Sequence, residues 1–190
     1  MSTNFTTLAF VAIDENGERE FSFSRKPGAD TKLQADEFEL WSYYRTVKIF
    51  HFGSLSLTAQ PAHEATVTAV SHAKAEGALI SYDPNYRASL WSSEDVAIET
   101  MKSMICYADV MKISDEESLL LTGEKTYEAA ADQFLQMGPK LVAVTLGSEG
   151  VLIAFGERKE RIAGFQVKSV DTTGAGDSFW GGFLECLLGI

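Results

Sequence analysis

The stretch "VDTTGAGDSFWGGFL", residues 170–184, decides the fold and the chemistry expected of this chain. Glycine in the run Gly174-Ala175-Gly176 lets the backbone bend tightly and approach a ligand closely, because no Cβ stands in the way. The apolar residues that follow recur at helical spacing on two rows, which are Phe179, Phe183 and Leu187, and Trp180, Leu184 and Leu188. The stretch therefore predicts a glycine turn that opens a helix.

A helix that starts at this turn is a candidate anion site. The first NH groups of a helix lack intrahelical partners, and the macrodipole adds about half a positive charge there. Asp177 falls in the first turn, where a carboxylate next to a phosphate can take the proton from an attacking hydroxyl. The alternative is that Asp177 only caps the helix and the glycines only form a turn, since short glycine motifs often match by chance.

Composition limits the classes of function. The 190 residues, 45% of them hydrophobic, are enough for one domain with a sizeable core. The net charge of −11 argues against nucleic acid or an anionic membrane as the main partner. Cys106 and Cys186 show no CxxC spacing, which fits a reducing cytosol, and no export signal or membrane segment is seen. The histidines, which match no metal-ligand motif, are expected to have structural or surface roles; they are His51, His63 and His72.

The order of elements predicts an α/β fold with a mainly parallel sheet flanked by helices. The chain opens with a hairpin, "TLAFVAI" and "EREFSFS" joined by "DENG", and we assign residues 1–30 to a small β lid and 31–190 to the α/β domain. The predicted strands are 47–52, 78–83, 109–113 and 141–146, followed by short strands at 151–156, 159–164 and 165–170. The predicted helices are 33–45, 61–76, 94–106 and 114–138, the last broken at Thr122-Gly123. Ligands in such sheets gather at the carboxyl ends of the strands.

Three of the predicted strands run into polar loops. These are "DPNYR" (83–87), "ISDEE" (113–117) and "TLGSEG" (145–150). Each has a plain structural alternative. Pro and Asn suit a turn that leaves Arg87 solvated, Ser114 with Glu117 forms a helix capping box, and the glycines of the third loop suit a turn into the next strand.

The motif "DTTGAGD", followed by a small residue, an aromatic residue and a Gly-rich helix start, closely resembles the signature of the ribokinase-like (PfkB) carbohydrate kinases. The other loops resemble family motifs in the same order along the chain, and the similarity is closest to fructokinase-type members. The resemblance implies an ATP-dependent sugar kinase of ribokinase-like fold that uses Mg²⁺, with K⁺ as a further candidate ion. It implies that Asp177 is the catalytic base and that the amides of Gly174, Ala175 and Gly176 form the anion hole.

The resemblance assigns roles to residues of the other loops as well. The implied nucleotide contacts are Thr145, Gly147, Gly150 and Ser114, where Ser114 stands at the family's usual Asn. The implied sugar contacts are Arg25 on the lid strand, Asn85, Arg87 and Asp177. Glu117 would act indirectly on magnesium, and Asp171 with Thr173 would bind the monovalent cation. The expected partners are a sugar, ATP and a second copy of the chain paired through the lid.

The same resemblance implies that the chain is truncated at both ends, without the first sugar-binding strand and the end of the adenine pocket. We therefore expect these 190 residues alone to be inactive and either oligomeric or poorly soluble. Alternative functions stay open at this point. One is a kinase for 2-keto-3-deoxygluconate or ribose, and Arg87 suits an acidic substrate. The other is a kinase-like module that binds but does not phosphorylate.

Overall fold

Six strands form the central sheet of the protein, in the order β3-β4-β5-β6-β7-β8. The computed structural model describes residues 4–13, 19–26, 28–38, 46–168 and 171–189. The strands are β3 (Ile49–Gly53), β4 (Leu79–Asp83), β5 (Val110–Ser114), β6 (Leu141–Thr145), β7 (Val151–Phe155) and β8 (Arg158–Ile162). The first four run parallel and the last two pair antiparallel, which confirms the predicted mainly parallel sheet.

The helices alternate with the parallel strands as predicted. They are α1 (Ala62–Ala75), α2 (Glu94–Ile105), α3 (Asp115–Thr122), α4 (Tyr127–Met137) and α5 (Ala175–Leu188). The break predicted at Thr122-Gly123 is confirmed, because Gly123 ends α3 in the left-handed conformation with φ of 74°. Helix α1 buries its alanine row, Ala62, Ala65, Ala69 and Ala73, at 0–1% exposure. Among the described residues, no helix has the length and apolar character needed to cross a membrane.

The N-terminal hairpin is a separate two-stranded sheet. β1 (Leu8–Ile13) and β2 (Arg19–Ser24) pair antiparallel, with Leu8 opposite Ser24. Half-buried Phe21 and Phe23 alternate with exposed Ser22 and Ser24, as expected of a strand with one wet face. The Asn16-Gly17 turn predicted between the strands lies outside the described residues.

Two predicted elements differ from the structure. The helix predicted at 33–45 is, in its described part, a short 3₁₀ helix at Ala35–Phe38, and residues 39–45 lie outside the described part. The strand predicted at 165–170 is wrong, because residues 165–168 form no regular structure. Phe165 and Val167 are 91% and 78% exposed, so the apolar alternation of this segment finds no partner strand within the described chain.

The two faces of the sheet carry different cores. Large apolar residues such as Ile80, Tyr82, Met111 and Ile113 belong to the main core with helices α1 to α4. The other face packs against α5 through a small cluster around Trp180. Since side chains alternate along a strand, this second face also receives the polar residues that lie between the apolar ones.

Candidate active site

The predicted functional loops meet at one edge of the sheet. Gly53 pairs with Asp83 at the ends of β3 and β4, and Ser114 pairs with Thr145 at the ends of β5 and β6. The four strands are parallel, so these residues mark their common carboxyl edge. The loops that follow β4, β5 and β6 therefore leave the sheet side by side, where an α/β fold binds its ligands.

The segment Gly174–Asp177, which we call the anion loop, begins α5. Gly174 takes the left-handed conformation with φ of 74°, a region that favours glycine. The first bond of the helix ladder runs from the amide of Ser178 to the carbonyl of Gly174 over 2.8 Å. The amides of Gly176 and Asp177 precede this bond, so they belong to the group of helix-start donors that suits an anion. The exposed Asp177 stands in the same first turn.

Trp180 anchors the start of α5 to the sheet. The indole is 2% exposed, and its Nε1 donates a hydrogen bond of 2.8 Å to Oγ of Ser81 on β4. Nδ1 of His51 on β3 lies 2.9 Å from the same oxygen. Partial desolvation lowers the pKa of His51, and the Asp177 carboxylate opposes this shift. One buried serine thus ties two strands to the helix that carries the anion loop.

A buried ion pair lies on the same face of the sheet. Nζ of Lys112 is 2.8 Å from Oδ2 of Asp83, and the two side chains are only 9% and 5% exposed. Burial raises the pKa of Asp83 to about 6; the Lys112 ammonium opposes this shift, whereas Glu117 and Asp177 add to it. The other oxygen of Asp83, Oδ1, is buried and finds no hydrogen-bond partner among the described residues. A buried acceptor without a protein partner is costly, so it calls for an explanation.

Sequence reasoning missed Asp83, Lys112 and Ser81, whereas the contact of His51 with Ser81 agrees with the structural role predicted for that histidine. The "VMKIS" strand does hold one lysine among apolar residues, and "LISYD" ends in an acid. Strand alternation places Lys112 and Asp83 on the α5 face, opposite the large apolar residues of the main core. The lysine inside an apolar strand was a signal in the sequence for a buried charge pair. Its partner could not be identified, because that depends on how β4 and β5 pair.

Glu117 connects two of the predicted loops. Its Oε2 accepts hydrogen bonds from the amide and the hydroxyl of Ser114, at 3.1 and 2.9 Å, and Ser114 caps α3 in return. The capping box predicted from the sequence is therefore confirmed. Oε1 of Glu117 accepts from the amide of Tyr86 at 2.5 Å, which fixes the DPNYR loop against α3. The roles predicted for Ser114 at the nucleotide and for Glu117 at magnesium stay predictions.

The DPNYR loop brings the lid hairpin close to the sheet edge. Asn85 has a φ of 49°, a backbone conformation that Asn tolerates better than most residues. The Arg87 guanidinium stacks over the ring of Phe21 on the lid, 4.8 Å from its centroid, and donates to the Tyr86 carbonyl. A cavity of about 310 Å³ opens here, lined by Tyr86, Arg87, Ser114, Glu116, Glu117 and Leu120. Arg87 thus lies at a cavity, and Asn85 is half-buried two residues before it; the roles predicted for both in substrate binding stay predictions.

The loop after β6 depends on its glycines. Gly147 and Gly150 have φ values of 57° and 107°, and a Cβ at Gly150 would overlap the carbonyl oxygen of Ile162. The hydroxyl of Thr145 donates to the carbonyl of Ile113 at 3.3 Å and is half-buried. A cavity of about 340 Å³ adjoins this loop and is lined by Ser148, Glu149, Arg161, Ala163, Gly164 and Gln166. The loop thus lies beside an open cavity, and the nucleotide-binding role predicted for Thr145, Gly147 and Gly150 stays a prediction.

Arg25 forms an ion pair and hydrogen bonds with nearby residues. Its guanidinium pairs with Asp30 and donates to the Thr58 hydroxyl and the Leu55 carbonyl, each at 2.8 Å. The residue therefore ties the lid to the chain after β3. Its predicted contact with sugar stays a prediction.

The predicted monovalent-cation pair lies just before the anion loop. The amide of Thr173 donates to Oδ1 of Asp171 at 2.8 Å, and both residues are exposed. Their oxygens are the kind of ligand that a hard cation prefers. In contrast, no group of three or more His, Cys, Asp or Glu that could hold a metal ion occurs among the described residues.

Comparison with known proteins identifies several relatives. The chain is 44% identical over 183 residues to a probable fructokinase-5 of Arabidopsis thaliana, covering 96% of this chain and 56% of the relative. It superimposes with a TM-score of 0.86 and 34% identity on a fructokinase with bound ATP from Xylella fastidiosa, over 97% of this chain and 57% of the other.

A double-mutant fructokinase from Vibrio cholerae O395 in its fructose-, ADP- and potassium-bound form gives a TM-score of 0.85 at 34% identity, over 97% of this chain and 58% of the other. The chain spans about half the length of the curated relatives it matches. The sequence model for pfkB family carbohydrate kinases matches residues 2–189. On this basis, the chain belongs to the pfkB family of carbohydrate kinases.

Proposed function

We propose that the protein carrying this chain transfers the γ-phosphoryl group of ATP to a sugar hydroxyl, with fructose as the acceptor. The observation that carries the proposal is the placement of Asp177 in the anion loop, at the start of α5 and beside the carboxyl edge of the sheet. A carboxylate and a set of helix-start amides side by side are what phosphoryl transfer to a hydroxyl requires.

The chemistry assigns a separate role to each part of the loop. The sugar oxygen attacks the γ-phosphorus, its new bond forms as the bond to the β-phosphate oxygen breaks, and ADP leaves. Asp177 takes the proton of the attacking hydroxyl, and its exposed position leaves it open to a substrate. The amides of Gly176 and Asp177 stabilise the negative charge on the transferred group.

The nucleotide would lie along the loop after β6. Gly147 and Gly150 let the backbone of this loop approach phosphates closely, and the 340 Å³ cavity beside it has room for part of the nucleotide. The ATP-bound relative from Xylella fastidiosa supports this proposal. Bound magnesium would neutralise phosphate charge, with Glu117 acting through water from its fixed position on α3.

Fructose is favoured as the acceptor because the relatives described above are fructokinases, one of them bound to fructose, ADP and potassium. Arg87 and Asn85 would contact the sugar at the 310 Å³ cavity, and Arg25 would do so from the lid. Asp171 and Thr173 would hold the potassium ion. A monovalent cation there would lie one short turn before the anion loop and fix its backbone.

Pairing of two copies through the lid and a cytoplasmic location are further parts of the proposal. The hairpin exposes Leu8, Phe10 and Val11 at 52%, 57% and 42%, which leaves apolar side chains for a second copy to cover. Cys106 and Cys186 are exposed free thiols, which suits a reducing compartment. The pairing is tested by sedimentation of the wild-type protein and of the Phe10→Glu variant. We expect the wild type to sediment as a dimer and the variant as a monomer.

The function is tested by an acceptor panel. The protein that carries this chain is purified in its full length and incubated with MgATP and with fructose, ribose or 2-keto-3-deoxygluconate, and ADP release is followed. We expect the highest kcat/KM with fructose and a further rise when K⁺ replaces a bulky organic cation. Preference for 2-keto-3-deoxygluconate would shift the role of Arg87 to binding a carboxylate. ADP release that no acceptor stimulates would contradict the proposal.

A further inference from the structure

The α5 face of the sheet holds a buried charge that the proposed chemistry has not used. Lys112 is 7% exposed and stands on β5 between Met111 and Ile113, both of which face the main core. Its side chain crosses to the opposite face and ends at Asp83, 2.8 Å away. A lysine buried to this degree is uncommon unless it is paired.

The ammonium of Lys112 also lies directly beneath the anion loop. A Cβ placed on Gly176 would come within 3.0 Å of Nζ and 3.4 Å of Cε of this lysine. The loop therefore rests on the end of the lysine side chain, and glycine at position 176 leaves the space that the ammonium fills. The helix-start amides of the anion loop and the Lys112 ammonium beneath that loop therefore approach the same point.

The partner of the lysine is not saturated. Asp83 uses Oδ2 for Lys112, while its Oδ1 is buried at a residue exposure of 3% and finds no hydrogen-bond partner among the described residues. An ammonium has three N–H donors, of which Asp83 takes one. Among the described residues, the pair therefore leaves one carboxylate oxygen and part of the ammonium without a protein partner, at the point where the anion loop meets the sheet.

We propose that Lys112, held in place by Asp83, is a positioning residue for phosphoryl transfer: it supports Gly176 from below and adds a fixed positive charge to the anion loop. This inference rests on the proposed function, since it assigns the loop to the transferred phosphoryl group. Because the ammonium is buried and already oriented, no solvent needs to reorganise around it when negative charge develops above. Asp83 orients the lysine side chain, and the lysine in turn supports the anion loop at Gly176.

A purely structural pair makes a different prediction. If Lys112 only neutralises Asp83, replacing both by neutral residues of similar shape should restore function, since buried ion pairs are often dispensable for stability. The informative variant is therefore the double replacement Lys112→Met with Asp83→Asn, compared with each single change and with Lys112→Arg.

We expect the double variant to regain the thermal midpoint that Lys112→Met loses, while kcat stays about 10²-fold below wild type, the usual effect of losing one stabilising group at such a site. KM for ATP and for fructose should change by less than about threefold, because the charge acts mainly as the transition state forms. Lys112→Arg should recover part of kcat, since it keeps the charge. Recovery of wild-type kcat in the double variant would overturn the inference.

A measurement on the unmodified protein separates this inference from the proposed function. The lysine ammonium groups are observed by ¹H–¹⁵N NMR, and the Lys112 signal is identified by its loss in Lys112→Arg. Titration with MgADP and aluminium fluoride, a mimic of the transferred group, should shift that signal, whereas Lys102 on α2, a helix that packs on the opposite face of the sheet from α5, should not respond. An unmoved Lys112 signal in a protein that binds the mimic overturns the inference even if fructose is phosphorylated. If no sugar is phosphorylated but the signal shifts, the sugar assignment fails and the inference stands.

Discussion

The indole of Trp180 donates a hydrogen bond of 2.8 Å to the hydroxyl of Ser81, and this bond, together with the apolar cluster around Trp180, ties the helix that carries the anion loop to β4 of the central sheet. Both residues are buried, at 2% and 0% exposure. The bond fixes α5 one turn after Asp177. The position of the proposed catalytic base is therefore set by packing on the sheet rather than by the exposed loop that precedes it.

Replacing Ser81 by Ala should destabilise the protein. The change leaves the Trp180 indole N–H buried without an acceptor, which costs about 1–3 kcal/mol in the free energy of unfolding. Urea denaturation measures this loss. The control is Ser71→Ala, whose hydroxyl donates to the Val67 carbonyl on the exposed side of α1 and should contribute less than about 0.5 kcal/mol. Equal losses for the two serines would contradict the anchoring role.

Replacing Gly176 by Val should lower turnover through crowding. The new side chain would meet the Lys112 ammonium, because even a Cβ there lies 3.0 Å from Nζ. Raising the loop by a fraction of an ångström misplaces the amides, so we expect kcat to fall by about 10²-fold. The matched control is Gly181→Val on the same helix, where a Cβ meets nothing within 4 Å. A loss of stability with unchanged kcat in Gly176→Val would show that the loop is structural only.

The stability contributed by Asp83 should depend on pH with a defined sign. Burial raises its pKa to about 6 from the ordinary value of 3.8, so the folded protein binds the proton more tightly than the unfolded chain does. The contribution is fully present below about pH 4 and is lost as the pH rises through 6. The difference in free energy of unfolding between wild type and Asp83→Asn should therefore decrease over this range, by on the order of 2 to 3 kcal/mol. A difference that is constant from pH 4 to 6.5 would contradict this prediction.

Local sequence patterns were sufficient to predict most of the fold. The stop of α1 near Gly77, the capping box at Ser114 and the helix after the anion loop each follow from neighbours a few residues apart. The strand predicted at 165–170 failed because alternation alone does not supply a partner strand. The apolar character of the main core was also predictable, because the buried strands are apolar on the face that meets α1 to α4.

The candidate site was predictable only where its residues lie in loops with a motif. The positions of Glu117 and Arg87 at one sheet edge follow from the parallel order of the strands, whereas Asp177 is brought to this edge by the contacts of α5 with the sheet. The pair formed by Lys112 and Asp83 did not follow, because the two residues are 29 positions apart and meet only through the pairing of β4 with β5. The contacts of Arg25 were likewise hidden, since they join the lid to the chain after β3.

The most direct test compares fructose-dependent ADP release by the wild-type protein and by Asp177→Asn, with Asp95→Asn as a control for losing an acid in the first turn of a helix. We predict that Asp177→Asn lowers kcat by about 10²- to 10⁴-fold, because the attacking hydroxyl loses its base, while the dissociation constant of ADP changes little. Asp95→Asn should keep wild-type turnover. Turnover of Asp177→Asn within about threefold of wild type would contradict the account that Asp177 drives phosphoryl transfer at this site.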